Sequence, residues 1–170
     1  EAMFAVGEIT GDVRYGRRGL RILETVVHGI ARAAQWRLPE HFDGEWQELP
    51  SYNKDNPADP FRPYGVTIGH VLEWSRLTID GLNGARLLGD PPPEWMVEHA
   101  EAMFASAVRD GWAVDGADGF VYTTDYDGTP IVRERLHWVC CEAIAAAWAL
   151  YIETGDQSYR AWYDRFWAYA

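Results

Sequence analysis

Thr-Gly-Asp stands at residues 10–12 and again at 154–156, and Leu-Gly-Asp at 88–90. Each tripeptide lies between two stretches whose apolar residues recur at helical spacing. Gly just past the last periodic residue suits the left-handed position that closes a helix. The recurrence marks a helix-pair repeat of roughly 65 to 80 residues, made irregular by loop insertions. The expected fold is therefore all-α, with about three consecutive helical hairpins. The chain begins and ends inside helical patterns, so a single domain over 1–170, incomplete at both ends and belonging to a larger toroid of helices, is expected.

The elements follow from the same signals. The first helix stops at Thr10-Gly11, and a second runs from about Val13 to Arg37, with Leu20, Leu23, Val27, Ile30 and Ala34 on one stripe. Pro39 ends it. A long stretch from His41 to Gly65 is rich in Pro, Asp and Asn. It also carries Phe42, Trp46, Tyr52, Phe61 and Tyr64, which predicts an ordered loop at the mouth of a site. Thr67 is a suitable N-cap for a helix over Ile68 to Leu88. Pro91 to Pro93 opens another over Glu94 to Arg109. Phe120–Tyr126 and Pro130–Arg135 flank Asp127-Gly128, a β-hairpin signal. A fifth helix is expected from Leu136 to Glu153 and a sixth from near Ser158.

Charge and composition narrow the function. A net charge of -11 argues against nucleic acid, whose phosphates need a basic surface. No stretch reaches the roughly 18 apolar residues of a membrane span. A polar small molecule is the compatible partner, and the sequence does not fix the oligomeric state. Cys140 and Cys141 are adjacent, too strained to bridge and without partners at zinc-ligand spacing, so no metal site is expected and a reducing, cytoplasmic setting fits. Aromatic residues make up 14% of the chain. They suit a sugar site, although large helical proteins also use them to fill core space.

Two constellations could carry chemistry. In Phe61-Arg62-Pro63-Tyr64-Gly65-Val66-Thr67-Ile68-Gly69-His70-Val71-Leu72-Glu73-Trp74, His70 and Glu73 are three apart at the start of a helix, on one face and close to the aromatic loop. An imidazole held by a carboxylate has a set tautomer and titrates near neutrality, as proton shuttling beside a carbonyl requires. Taken alone, His-x-x-Glu is more often a helix start with a half-buried His and a solvated Glu. In the second constellation Arg135, Trp138 and Glu142 follow i, i+3, i+7 at the start of the fifth helix, with His137 beside that face. Trp could stack on a sugar while Arg and Glu bind hydroxyls, and a buried Arg–Glu pair with a core Trp fits equally well. His28 reads as surface or core, His99 as solvated among acidic neighbours, and His41, in the long loop, as either structural or catalytic.

The ordered run His41-Phe42-Asp43, Trp46, Tyr52-Asn53, Asp55, Phe61-Arg62-Pro63-Tyr64-Gly65, Gly69-His70 and Glu73-Trp74 resembles the N-acylglucosamine 2-epimerase and mannose isomerase superfamily. It is closest in pattern to the mannose isomerase and sulfoquinovose isomerase branch. Gly119 to Thr123, Asp127-Gly128, His137-Trp138, Glu142-Ala143 and the closing Thr154-Gly155-Asp156 continue the likeness over essentially the whole chain. The resemblance implies an (α/α)6 barrel and an aldose–ketose isomerase that works without metal or redox cofactor through a cis-enediol. A sugar 2-epimerase, or a non-catalytic carbohydrate-binding protein on the same scaffold, are the alternatives. By resemblance His70 is one of two proton-handling histidines and Glu73 orients it. Phe61 and Arg62 border the sugar, and Trp138 and Glu142 face it. Two further site histidines of the family fall outside these 170 residues, so this piece alone is expected not to turn over sugar.

Overall fold

The computed structural model describes residues 1–170, and six α-helices dominate it: α1 (Ala2–Thr10), α2 (Val13–Leu23), α3 (Ile68–Leu88), α4 (Trp95–Gly111), α5 (His137–Thr154) and α6 (Gln157–Tyr169). They pair as α1/α2, α3/α4 and α5/α6, the three expected hairpins. Helix α3 is the hub, packing on α2, α4 and α5.

The Gly-Asp junctions close the hairpins through local chemistry. Gly11, Gly89 and Gly155 all sit in the left-handed region, at φ of 68°, 72° and 73°. A Cβ there is strained, so glycine is the residue of least cost. In both Thr-Gly-Asp copies the Thr hydroxyl donates back to the carbonyl four residues earlier, Thr10 to Val6 at 2.7 Å and Thr154 to Leu150 at 2.8 Å. The Asp then caps the next helix, Asp12 accepting from the Arg14 amide at 3.0 Å and Asp156 from the Ser158 amide at 2.8 Å. Leu-Gly-Asp differs. Asp90 caps nothing and pairs instead with Arg17 at 3.0 Å, tying α2 to the end of α3.

The second helix departs from expectation. After Leu23 the chain widens into a π-helical segment, Glu24–Ala31, and the helical path stops at Gln35 and Trp36, whose φ of 54° and 69° no helix continues through. The segment still buries Val27 and Ala31, so the apolar stripe holds while the hydrogen-bond spacing changes. The expected hairpin is shorter than its sequence signal. Strands β2 (Thr123–Thr124) and β3 (Pro130–Val132) pair antiparallel, and β2 also pairs with an unanticipated strand β1 (Val66–Thr67), giving the order β1-β2-β3. This small sheet lies where α3 begins, with Val66, Thr67, Thr123 and Thr124 all buried.

One core joins these parts. Leu72 and Ile79 of α3, Met96, Met103 and Phe104 of α4, Ala143, Ala146 and Leu150 of α5, and Phe166 of α6 are buried together. No helix is long and apolar enough to cross a membrane.

Candidate active site

His70 occupies the first turn of α3. Its Nδ1 lies 3.0 and 2.9 Å from the two carboxylate oxygens of Glu40. A carboxylate only accepts, so Nδ1–H donates, and in the neutral ring the lone pair resides on Nε2. Nε2 makes no hydrogen bond within the chain. Trp138, the second residue of α5, lies against the imidazole with ring centroids 5.2 Å apart. It comes that close because residue 69 is glycine: a Cβ there would collide with the indole.

Glu40 and His70 open onto a cavity of about 200 Å³ whose other walls are Val26, Ile30, Leu38, Pro39, Phe42, Trp46 and Trp74. Apolar and aromatic walls around a few converging polar groups are the common form of a small-molecule site. Trp46 is largely exposed and held at φ 62°. Its ring lies 5.7 Å from that of Phe42, so the 41–65 loop supplies one rim of the cavity. The loop is ordered by its own contacts: His41 Nε2–H donates to the Pro63 carbonyl at 2.8 Å, Asn53 to the Arg62 carbonyl at 2.7 Å, and Asp59 accepts from the Phe61 and Arg62 amides.

A polar stripe continues from His70 along α3 and α5. Arg76 donates to Glu142 at 3.1 Å and to Asp80 at 3.0 Å. Glu73, between His70 and Arg76, forms no hydrogen bond. Burial and then the neighbouring Glu142 charge push its carboxyl above the usual range. For His70, burial works against the charged ring, but the Glu40 hydrogen bond and the charges of Glu40, Glu73 and Glu142 outweigh it and raise its pKa. No three His, Cys, Asp or Glu side chains converge in a way that could hold a metal ion.

The residues singled out in the sequence are thus placed unequally. His70, Trp138, Glu73 and Glu142 come together. The carboxylate that fixes the imidazole, however, is Glu40 and not Glu73: a side chain three residues on along a helix lies beside the ring, while Glu40 meets its Nδ1 edge. Phe61 is 90% exposed and Arg62 also faces outward, donating to the Tyr52 hydroxyl at 3.3 Å, and neither lines the cavity. Arg135 precedes α5 and so does not share the Trp138–Glu142 face. Its guanidinium is occupied by Asp115 at 2.7 Å and the Ala117 carbonyl at 3.0 Å. His137 is exposed, 3.5 Å from the Cys141 sulfur. His99, expected in solvent, is 5% exposed, with its Nε2 3.0 Å from His28 Nδ1. His41 is a loop anchor. Glu40 was not legible as a site residue, because nothing periodic relates it to His70. The available signal was an acidic residue directly after Leu38-Pro39, where the chain turns inward.

Residues 1–170 match the family model described as N-acylglucosamine 2-epimerase (GlcNAc 2-epimerase). The chain is 53% identical over 170 residues to a D-mannose isomerase of Thermobifida fusca, covering 100% of this chain and 41% of that protein. It is 48% identical over 169 residues to a D-mannose isomerase of Pseudomonas cannabina pv. alisalensis, covering 99% and 41%. The chain therefore spans about two fifths of the length of the curated relatives it matches. A crystal structure of a D-mannose isomerase superposes with TM-score 0.90 at 28% identity, over 99% of this chain and 41% of the other. A cellobiose 2-epimerase from Spirochaeta thermophila DSM 6192, 20% identical, shares the fold at TM-score 0.75 over 99% of this chain and 37% of its own. The helical hairpins match the α/α-barrel of these neighbours.

Proposed function

Since the chain belongs to the N-acylglucosamine 2-epimerase family, we propose that it carries one half of the acid–base machinery of an aldose–ketose isomerase acting on mannose or a close relative. The observation that carries this reading is His70: its Nδ1 is held by Glu40 and its Nε2 is free, at a cavity walled by aromatic side chains. The neutral Nε2 takes the C2 proton of the open-chain aldose. The C–H electron pair forms the C1=C2 double bond and the C1 oxygen takes up a proton in exchange for that of the C2 hydroxyl, through a cis-enediol; return of the abstracted proton to C1 as the C2 oxygen becomes the carbonyl yields the ketose. A base that titrates near working pH is suited to such a weakly acidic proton. Trp138 supports the ring, and Glu142 and Glu73 offer acceptors to sugar hydroxyls. Phe61 and Arg62 lie on the loop that rims the cavity and meet the sugar only if that loop folds inward. Arg135 is not retained in this reading, because Asp115 occupies it. Both cysteines are free thiols, which suits the reducing cytoplasm we propose for the protein.

The test is His70→Ala in the complete protein that carries this sequence, with mannose followed by NMR. Loss of about 100-fold or more in kcat is expected for a general base, and near-normal turnover would remove His70 from the chemistry. Accumulation of glucose in place of fructose in the unmodified enzyme would move the reading to the 2-epimerase, which returns the proton to C2 from the opposite face.

A further inference from the structure

We propose that Glu40 is the positioning residue of this site: it selects the tautomer of His70 that leaves Nε2 unprotonated and aims that nitrogen into the cavity. This rests on the reading of His70 given above and extends it to a residue thirty positions away in the sequence.

The chain is built to deliver this carboxylate. On the N-terminal side, Gln35 and Trp36 reverse the backbone at positive φ, and the Trp36 amide closes the turn on the Ala31 carbonyl at 2.7 Å. Arg37 then locks onto Asp110 at 2.8 Å, and Leu38 and Pro39 are buried. On the other side His41 is pinned to Pro63 at 2.8 Å. Glu40 is thus clamped at both neighbours, and its own side chain is 14% exposed. The conformational cost of holding it is met by the fold before any sugar arrives. Both carboxylate oxygens stand near Nδ1, so a small rotation of either group keeps the contact.

Glu73 of α3 and Glu142 of α5 also face His70, and Tyr122 lies nearby with its ring 6.1 Å from Trp138. Those carboxylates act on His70 through space, and neither is hydrogen-bonded to it. They add negative charge but cannot choose a tautomer, whereas a direct hydrogen bond can.

Glu40→Gln and Glu40→Asp in the complete protein test the assignment. An amide offers Nδ1 either a donor or an acceptor, so Glu40→Gln permits both tautomers; Glu40→Asp keeps the charge. Expected for Glu40→Gln are a melting temperature near that of the parent, kcat lower by about 100-fold with KM within about threefold, and an acidic limb of the kcat/KM profile displaced to lower pH. Glu40→Asp should restore a large part of kcat. Long-range ¹H–¹⁵N spectra of the His70 ring should show protonated Nδ1 and bare Nε2 in the neutral parent, and a mixture in Glu40→Gln. An unchanged ring spectrum and pH limb in Glu40→Gln would overturn the positioning role, even with His70→Ala inactive. If instead the ring spectrum changes as expected while His70→Ala stays active, Glu40 still positions the imidazole, and the catalytic reading of His70 is what fails. Should Glu40→Gln not fold, the ring spectrum of Glu40→Asp decides: retention of the Nδ1–H tautomer supports the role and its loss overturns it.

Discussion

Gly69 has no side chain, and the Trp138 indole occupies the space that leaves. One missing methyl therefore sets how closely α5 approaches the first turn of α3, and with it the surface against which His70 rests. Gly69→Ala should force the indole outward. A cost of roughly 1–3 kcal/mol is expected for overpacking at such a contact, read as a lower denaturation midpoint together with a red-shifted tryptophan emission. A midpoint within experimental scatter of the parent would show that Trp138 can yield freely. The same scale shows what the sequence could and could not reveal. His70 stood out through the ordered run of residues around it that resembles a known family, since His-x-x-Glu alone is more often an ordinary helix start. Glu40 was not, since its contact forms across a turn whose geometry comes from two positive-φ residues that carry no turn signature. His99 was misread from its acidic neighbours Glu98 and Glu101, although its spacing to Met96 and Met103 puts it on the buried stripe of α4.

Among the elements, the junctions between helices do unequal work despite nearly identical sequences. Asp156 caps α6 through the Ser158 amide, while Asp90 caps nothing and lies in an exposed pair with Arg17. Asp156→Ala should therefore cost about 1 kcal/mol, and Asp90→Ala should leave the urea midpoint essentially unmoved, as exposed ion pairs usually do. Equal losses from the two would mean that Asp90 holds α2 and α3 together more firmly than its exposure suggests. Apart from the second, the helices themselves were legible to within a residue or two, because their apolar period is long and glycine punctuates it. Strand β1 was not, since two residues carry no period and Val66-Thr67 becomes a strand only by pairing with Thr123-Thr124. The π-helical segment escaped for a related reason: its buried residues keep a helix-like spacing, and the wider turn is visible only in the backbone hydrogen bonds.

For the molecule as a whole, charge is the property that bears on substrate. The net charge is -11, and the carboxylates of Glu40, Glu73 and Glu142 act on His70, of which Glu40 lines the cavity, while Arg76 is already engaged by Glu142 and Asp80. An anionic sugar entering there meets repulsion, and no Lys or Arg lines the cavity to receive it. The complete protein should accordingly turn over mannose with kcat/KM at least about tenfold above that for mannose 6-phosphate, with the gap narrowing as salt screens the field. Equal efficiency on the two would show that cations elsewhere in the protein reach the sugar. The Glu24–Ala31 segment carries a different consequence for the assembly. Removing one residue from it would change the direction in which the chain leaves the helix, carrying Glu40 off its partner. At this spot the fold is sensitive to chain length more than to side-chain identity: a single-codon deletion would part the imidazole from its carboxylate while leaving every functional group intact.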